Sequence, residues 1–484
     1  MYLSLREFVT FLEARGQLKR INAAVDARLE ITEITDRVSK GPHEGNVALL
    51  FENVTGYGMP VLTNAFGSAE RMAWALGVES LDELGQRLEH LLSLDMPRSL
   101  GDKVRRAGDL LGVFRSVSPR QVKQAACQEV IQREKPSLSE LPILTCWPED
   151  GGPYITLPAV ISRRPETGSR NVGMYRLQVF DERTLGMHWQ IHKGGAEHQR
   201  VAGDLGLRQI PVAVSIGGDP AVTWAGSAPL PPDIDEFLLA GWLRNRPVEL
   251  VACVSQPLEV PADADIIIEG YVDPAESQIE GPFGDHTGYY SPAEPYPVLH
   301  VTAITRRSQP IYPATVVGRP PMEDYWMGKA TERLFLPLLR LFQSEIVDIN
   351  MPAEGVFHNI VIVSIKKRYP GHARKVMYGL WGLGLMMLAK ALLMVDADVD
   401  VHNLSEVAWR VSANVDWRRD VIVVDGPVDA LDHASPQPNY GGKIGLDATR
   451  KGPADGHPRP WPNDIVMSAE VRRLVEERWR EYGF

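Results

Sequence analysis

The sequence is poor in cysteine, in long apolar runs and in excess positive charge, and each shortage excludes a class of protein. Its 484 residues include three scattered cysteines with no C-x-x-C spacing, so neither a disulfide framework nor a cysteine-rich zinc site is expected. Acidic side chains outnumber basic ones, 62 to 51, and the formal charge of −11 disfavours nucleic acid as a partner. A globular protein of a reducing compartment remains.

No stretch is long and apolar enough to predict a membrane span. The best candidate, residues 380–395, falls short of the ~20 apolar residues needed and contains Lys390, so we predict a buried helix running into a buried strand. Residues 1–16 carry charges within their apolar periodicity, which indicates an amphipathic helix rather than a signal peptide. We expect a cytoplasmic location and leave peripheral contact with the inner membrane open.

Length and hydrophobic pattern together predict a mixed α/β (α+β) chain of several domains. Residues 1–115 alternate helical periodicity with short apolar runs, as in a small α/β unit. Residues 116–320 are rich in β-branched runs broken by Gly and Pro, which suggests an antiparallel barrel or sandwich. Residues 321–345 predict a linker helix that Pro337 kinks or ends, and 346–484 repeat strand and helix around a mostly parallel sheet.

Residues 171–198 of the β-rich region hold an unusual density of polar side chains. Strand alternation places Asn171 and Arg176 on opposite faces, so their meeting depends on a bulge or bend. The glycine pair that follows Lys193 leaves backbone N–H groups open beside a positive charge, where a phosphate could bind. A β-turn with a surface lysine is the alternative.

One helix, residues 233–243, interrupts the β-rich region, with Asp233 predicted as its N-cap. Its apolar neighbours could turn Glu236 toward the interior, where a glutamate needs a cation. With Asn171 and His192 it would form an oxygen-rich ligand set suited to Mn²⁺ or Mg²⁺. For each residue alone, a satisfied hydrogen bond is the alternative.

A further cluster is the segment EGPFGDHTGYYSP, in which Glu280 and Asp285 bracket a Pro-Gly turn. Two carboxylates this close are expected to titrate together, and a guanidinium such as that of Arg176 between them would keep one of them ionised. An acidic loop capped by turn hydrogen bonds is the alternative.

Six separated motifs, taken in order, resemble the UbiD family of decarboxylases: NVGMYR, MHWQIHKGGAEH, DEFLLAG, EGPFGDHTGYYS, PPMED with ATERLFLP, and GGKIGLDATRKGP. The resemblance covers most of the chain. It implies a flavin site on a central split β-barrel, flanked by an N-terminal α/β domain and a C-terminal α/β domain with oligomer contacts (dimer or hexamer). It also implies prenylated FMN, supplied by a flavin prenyltransferase, with Mn²⁺ (or Mg²⁺) and K⁺ at its phosphate.

The resemblance assigns roles to individual residues. Asp285 is the implied proton donor, with a pKa that burial should raise; Arg176 orients the substrate carboxylate and Glu280 maintains the charge state of the network. The implied metal ligands are Asn171, His192 and Glu236. The implied cofactor-lining residues are Met174, Tyr175, Arg176, His188, Trp189, Gln190, Lys193, Gly194 and Lys390, the last with a structural lysine as the alternative.

The implied reaction is reversible, non-oxidative loss of CO2 from an aromatic or α,β-unsaturated acid. Such a step leaves an unstabilised carbanion, so it requires the electron sink that the modified flavin supplies. Asp285, also aspartate in the quinone-biosynthesis branch, favours a polyprenyl hydroxybenzoate or naphthoate over a tailless phenolic acid. An FMN oxidoreductase, the rival outside the class, has no need of the Glu280, Arg176 and Asp285 set, and a metal-dependent hydrolase lacks its H-E-x-x-H motif.

Overall fold

The structure is a computed structural model that describes residues 2–92, 112, 115–190, 193–231 and 233–484. Its α-helices are Leu5–Ala14, Glu30–Ser39, Ala69–Ala75, Leu81–Leu92, Gly194–Asp204, Pro220–Ala225, Glu236–Arg244, Glu323–Phe342, His372–Trp381, Leu404–Asn414 and Ala469–Glu477. Short 3₁₀ helices occupy His43–Gly45, Ala126–Gln128, Leu138–Glu140, Ala353–Gly355, Gly384–Leu388, Pro453–Asp455 and Trp479–Tyr482.

The N-terminal region contains a four-stranded sheet with helices packed against it. Its strands, in hydrogen-bonding order, are Leu18–Ile21, Ala48–Phe51, Val61–Thr63 and Tyr312–Pro313. The last strand comes from far along the chain and pairs in parallel with the third, which ties the middle of the chain to this sheet. The first helix is amphipathic as predicted: Ser4 caps it, and Phe8 and Leu12 are fully buried.

The central region is built on a nine-stranded antiparallel sheet. Its path runs through Tyr154–Ile155, Leu177–Val179, Thr184–Met187, Glu294–Arg306, Ile266–Glu280, Ile210–Ile216, Pro158–Arg163 and Arg170–Gly173, and Val130–Gln132 pairs with Glu294–Arg306 off the path. Alternate residues face two different cores, with Ile266 and Ile268 on one side and Ile267 on the other. Among the described strands the path does not close, so the split barrel stays a prediction.

Smaller sheets complete this region. One joins Glu259–Pro261, Glu249–Ala252 and Arg120–Gln121, and a hairpin joins Phe283–Gly284 to Tyr290–Ser291. The predicted helix is present but begins at Glu236, so the prediction that Asp233 is its N-cap was wrong. Asp235 is the cap, because its Oδ1 accepts the Phe237 N–H at 2.9 Å, whereas Asp233 accepts the Ser169 hydroxyl.

The helix Glu323–Phe342 lies within the predicted linker range and packs on the N-terminal helices. A Cβ on Gly85 would lie 2.7 Å from the Arg333 carbonyl oxygen, so only glycine allows this approach. The helix contains Pro337 and continues to Phe342, so of the two predicted effects of Pro337, a kink or an end, the structure excludes the end. Burial of the helix against its neighbours outweighs the hydrogen bond that proline removes.

The C-terminal region is a five-stranded sheet with helices on both faces. Its strands, in order, are Ile346–Asn350, Ile360–Ile365, Ala391–Asp396, Tyr440–Asp447 and Val421–Pro427. The three inner strands pair in parallel, as in the predicted mostly parallel sheet. The strand at each edge pairs antiparallel, and the prediction did not include these two edge strands. Residues 380–395 cover a helix end, a 3₁₀ turn and a strand. None of the helices in the described ranges is long and apolar enough to cross a membrane.

Candidate active site

The bend that the sequence left open lies at residues 174–176. One strand ends at Gly173 and the next begins at Leu177, at the far side of the sheet path. Gly173 is required here, because a Cβ would stand 2.2 Å from the Tyr175 ring. The Tyr175 hydroxyl accepts hydrogen bonds from Asn171 (3.3 Å) and from the Gly195 N–H (3.2 Å). The bend thus separates a group around Asn171 from a group around Arg176.

The second group brings Arg176, Glu280 and Asp285 together, although the chain separates the first from the others by 104 and 109 positions. The Arg176 Nε donates to Glu280 Oε1 at 2.9 Å, and its Nη1 pairs with Asp285 Oδ2. Its Nη2 donates to the Ser291 hydroxyl at 3.0 Å. Glu280 and Asp285 are buried, with 1% and 6% of their surface exposed. One guanidinium therefore pairs with two buried carboxylates and orients both.

Local structure explains how both acids reach Arg176. Glu280 is the last residue of the long strand Ile266–Glu280, and the hairpin that follows carries Asp285 back over it. The turn closes because the Asp285 N–H donates to the Tyr289 carbonyl at 3.1 Å. His188, from the predicted flavin-lining set, contacts the other oxygen of Glu280, with 2.6 Å between His188 Nδ1 and Oε2.

The electrostatics of the two acids are alike. Burial alone would raise the pKa of Asp285, but Arg176 and His286 hold that pKa well below its usual value. Burial also opposes ionisation of Glu280, and there His188 and Arg176 lower the pKa. The expectation of a raised pKa for Asp285 was therefore wrong. Burial does favour the neutral acid, but the guanidinium of Arg176 outweighs that effect.

Sequence reasoning missed the histidines behind Asp285. His286 contacts Asp285 Oδ1 through Nδ1 at 2.7 Å, and its Nε2 lies 3.0 Å from Nε2 of His358, in the C-terminal region. His286 stood in the quoted motif, so the Asp-His pair was a usable signal. His358 is 72 positions away in a segment without a motif, and no pattern could have joined it to Asp285.

The group around Asn171 has the features of a phosphate and metal site. Lys193 and the glycine pair open the helix Gly194–Asp204; the Gly195 N–H is taken by Tyr175, and the N–H of Gly194 together with the helix dipole favours an anion. Burial lowers the pKa of Lys193, against the opposing charge of Asp429. A Cβ on Gly194 would lie 2.1 Å from Asn171 Oδ1, so the start of the helix packs closely against that amide and leaves no room for a side chain.

Glu236 lies beside the same amide. Its Oε2 accepts the Val172 N–H at 2.8 Å, and burial raises its pKa to about 7 although that hydrogen bond opposes the shift. Among the described residues, no ion pair joins Glu236 to a cation, and no three His, Cys, Asp or Glu side chains gather as a metal site. His192, the third predicted ligand, lies outside the described residues.

The remaining predicted cofactor residues divide between the two groups and one outlier. Met174 donates its N–H to the Gly226 carbonyl, and Trp189 packs on Gly195 with its buried Nε1 unpartnered among the described residues. Gln190 follows Trp189 and precedes the gap in the described chain. Lys390 pairs with Asp432 at 2.8 Å in the C-terminal region, so the structure does not place it with either group.

These side chains fit a nucleotide phosphate bound with a hard cation. The group around Asn171 combines a helix N-terminus, a lysine and a buried carboxyl that has no ion-pair partner among the described residues, and the Trp189 indole N–H has no acceptor within that same part of the chain. Carboxylate and amide oxygens are ligands that Mn²⁺ and Mg²⁺ prefer. The paired carboxylates of Glu280 and Asp285 belong to the group around Arg176, which follows the bend.

Family models match three consecutive parts of the chain. They are described as the N-terminal domain (residues 9–88), the Rift-related domain (residues 120–320) and the C-terminal domain (residues 325–448) of 3-octaprenyl-4-hydroxybenzoate carboxy-lyase, UbiD. An uncharacterized protein of Archaeoglobus fulgidus is 52% identical over 481 residues, 99% of this chain and 98% of the relative. One of Aquifex aeolicus is 50% identical over 483 residues, 100% and 99% of the two chains.

Solved structures agree. Vanillic acid decarboxylase of Sedimentibacter hydroxybenzoicus, in its closed form, superposes with a TM-score of 0.85 at 28% identity, covering 100% of this chain and 99% of that one. The UbiD-class enzyme HmfF of Pelotomaculum thermopropionicum, in complex with FMN, gives 0.80 at 30% identity, with 98% and 99% covered. An evolved dimeric form of HmfF, in complex with prenylated FMN (prFMN), gives 0.79 at 29%, with 98% of each chain covered. From its N-terminal region to its C-terminal sheet, this chain belongs to the UbiD family and is a carboxy-lyase.

Proposed function

We propose that this decarboxylase uses prenylated FMN to remove CO2, reversibly and without net oxidation, from a polyprenyl hydroxybenzoate or naphthoate of quinone biosynthesis. The observation that carries the proposal is the buried guanidinium of Arg176 between the carboxylates of Glu280 and Asp285. Burying three ionised groups is costly unless they serve a purpose, and an oxidoreductase on the same scaffold has no use for this set.

Arg176 is the residue that receives the substrate carboxylate. Its contacts with Glu280, Asp285 and Ser291 use one N–H each on Nε, Nη1 and Nη2. A guanidinium has five N–H donors, so one on each Nη remains for a carboxylate. Glu280, fixed by His188 and Arg176, keeps the guanidinium in place.

Asp285 is the acid that delivers a proton to the carbon left by CO2. It sits at a hairpin turn with one oxygen on Arg176 and the other on His286, so both of its oxygens are oriented. Such a positioned acid contributes about 100-fold or more to a rate.

The cofactor would be held by the group around Asn171. Lys193 and the N–H group of Gly194 would bind the phosphate of prenylated FMN, with Mn²⁺ (or Mg²⁺) on Asn171, Glu236 and His192, and with K⁺ nearby. When bound, the modified flavin supplies the electron sink for decarboxylation. Met174, Tyr175, His188, Trp189 and Gln190 would line it, and a flavin prenyltransferase would supply it.

A tailless phenolic acid is the second candidate substrate. It is favoured by the likeness to vanillic acid decarboxylase, which covers both chains almost completely. The two candidates differ in what the site must admit: a polyprenyl tail needs an apolar path to the surface, and a phenolic acid does not.

The test is co-expression with a flavin prenyltransferase, followed by the absorption spectrum and mass of the released cofactor. The loaded protein is then offered prenylated hydroxybenzoates, naphthoates and tailless phenolic acids, and CO2 is measured. We expect the mass of prenylated FMN and CO2 from the prenylated acids. CO2 from phenolic acids alone supports the second candidate, whereas plain FMN without CO2 from any acid supports an oxidoreductase.

We also propose a homo-oligomer that uses the C-terminal tail. The helix Ala469–Glu477 has no buried residue, and Ile465, Val466 and Met467 are exposed before it. The tail is attached by Asp464, which pairs with Arg410 (2.7 Å) and Arg450 (3.1 Å). A second copy would cover this apolar surface. Truncation after residue 464, which removes Ile465, Val466, Met467 and the helix, should convert a dimer or hexamer to a smaller species in light scattering; an unchanged mass would contradict the proposal.

A further inference from the structure

The Asp285 carboxylate poses a problem for its own proposed role. Arg176 and His286 stabilise its ionised form, and an ionised acid has no proton to give. A donor held in this state needs a proton source in direct contact. The only hydrogen-bond partner of Asp285 Oδ1 with a labile side-chain proton, among the described residues, is the imidazole of His286.

We propose that His286 is the positioning residue that stores the proton for Asp285, and that His358, from the C-terminal region, orients it. This inference rests on the proposed role of Asp285 as proton donor. Both ring nitrogens of His286 are engaged: Nδ1 with Asp285 Oδ1 at 2.7 Å and Nε2 with His358 Nε2 at 3.0 Å. A histidine held in this way between a carboxylate and a third group has a fixed orientation and a fixed direction of proton transfer.

The surrounding charges favour a protonated His286. Burial would lower its pKa, but Asp285, with support from Asp324 and Asp429, raises it to about 9. Burial and the positive charges of His286 and Lys193 lower the pKa of His358 to about 4, against the opposing charges of Asp429 and Asp285. The pair therefore shares one positive charge, on His286, and the neutral His358 accepts the Nε2–H.

Two buried polar atoms near the histidine pair have no hydrogen-bond partner among the described residues. Asp324, in the first turn of Glu323–Phe342, has a pKa raised by burial to about 7, and its Oδ2 is buried without a partner among the described residues. If His358 accepts at Nε2, its own proton lies on Nδ1, which is likewise buried and unpartnered in the described part of the chain.

The proton transfer balances without any further reactant. The Nδ1–H bond of the His286 imidazolium breaks as an O–H bond forms on Asp285 Oδ1, and the two opposite charges cancel. Asp285 then gives that proton to the substrate carbon and becomes a carboxylate again. His286, whose side chain is 21% exposed, regains a proton from solvent. Nothing is oxidised or reduced in these steps.

His358 also makes the store depend on how the two regions meet. The hydrogen bond from His286 crosses from the central hairpin to the segment before the strand Ile360–Ile365. Separation of the two regions would remove the acceptor of the Nε2–H and weaken the orientation of His286. Asp285 is thus recharged most readily when the C-terminal region covers the site.

The test uses loaded holoenzyme with His286→Asn, because the asparagine amide can still donate to Asp285 but cannot release a proton. We expect kcat to fall about tenfold or more with KM and flavin occupancy unchanged. The wild-type kcat should decline as the pH rises through about 9, where His286 loses its charge, and the variant should lack this limb. His300→Asn, at a histidine paired with Glu276 on the surface, is the matched control. A wild-type kcat and pH limb in His286→Asn would overturn the proposal.

Two variants separate the orienting role of His358 from mere packing. In His358→Gln the amide oxygen can still accept the Nε2–H, so the basic limb should stay in place. In His358→Leu the acceptor is gone, and the limb should shift. Equal profiles for the two variants would overturn this part of the inference.

A titration that needs no turnover covers the case in which a variant loses its cofactor. ¹⁵N-histidine spectra of the wild-type protein should show the His286 ring, identified by its absence in His286→Asn, protonated up to about pH 9, and Asp285→Asn should lower that midpoint. A midpoint near the ordinary 6.5 would overturn the proton store. Absence of CO2 release from every acid, with the high midpoint retained, would instead reject the proposed function and keep the histidine pair.

Discussion

The two ends of the site differ in how far their polar groups are satisfied by the protein itself. Around Arg176, every charge has an opposite charge in contact, and the pKa values of Glu280 and Asp285 are lowered. Around Asn171, burial raises the pKa of Glu236 and lowers that of Lys193, so both groups are pushed toward neutrality. The first end is complete as folded; the second is arranged for a charged ligand.

Arg176→Ala removes the cation that Glu280 and Asp285 share, and we expect it to have the largest effect. Two buried carboxylates would lose their partner, which should abolish CO2 release and destabilise the fold by about 3–5 kcal/mol. Urea unfolding of the cofactor-free protein measures the second effect. Arg200→Ala, at a pair on the exposed helix face, is the control and should change stability by less than about 1 kcal/mol. Wild-type turnover in Arg176→Ala would reject the carboxylate clamp.

In the group around Asn171, a single added methyl group should disrupt cofactor binding. In Gly194→Ala the new Cβ would stand 2.1 Å from Asn171 Oδ1, so we expect flavin loading to fall about tenfold or more. Gly203→Ala, in the same helix, meets nothing within 4 Å and should load normally while gaining about 0.5–1 kcal/mol of stability. Loading is read from the ratio of flavin to protein absorbance. Equal loading in both variants would show that the helix start does not contact the cofactor.

Glu236→Gln tests the unsatisfied carboxyl more gently. The folded pKa of Glu236 is raised to about 7, so its ionised form destabilises the metal-free fold increasingly as the pH rises from 4.5 through 7. The neutral amide should therefore stabilise the metal-free protein at pH 8, by about 1–3 kcal/mol, and hardly at pH 4. Addition of Mn²⁺ should raise the Tm of the wild type and not of the variant. A Tm rise of equal size in both would exclude Glu236 as a ligand.

The smallest expected effect is at Ser291, which accepts one N–H of Arg176 at 3.0 Å. Ser291→Ala removes a hydrogen bond but no charge, so kcat/KM should fall about threefold to tenfold, with cofactor loading unchanged. A fall as large as that of Arg176→Ala would mean that orientation, and not charge, dominates at this end.

Much of the fold was predictable from local pattern. The amphipathic first helix, the β-rich centre and the alternating C-terminal region follow from periodicity, which depends on neighbouring residues alone. The helix cap at Asp235 could not be predicted from the sequence. Asp233 has the same side chain two positions earlier, and only the path of the chain decides between them. The sequence also could not show that the helix continues past Pro337, because its continuation depends on tertiary packing.

The site divides in the same way. Motif order predicted that Glu280, Arg176 and Asp285 act together, and the strand end and hairpin that bring both acids to Arg176 needed the structure. The lowered pKa of Asp285 could not be derived from burial, because it follows from a guanidinium that the chain supplies 109 positions earlier. His358 shares no motif with Asp285, so its contact with His286 is visible only in three dimensions.

The most direct test of the central claim is CO2 release by wild type and Asp285→Asn, compared at equal occupancy of prenylated FMN. The amide should leave cofactor binding unchanged, because Asp285 is not among the residues proposed to hold the phosphate or the metal. The account predicts a fall in kcat of about 100-fold or more at full occupancy. Near-normal release of CO2 by the loaded variant would contradict it.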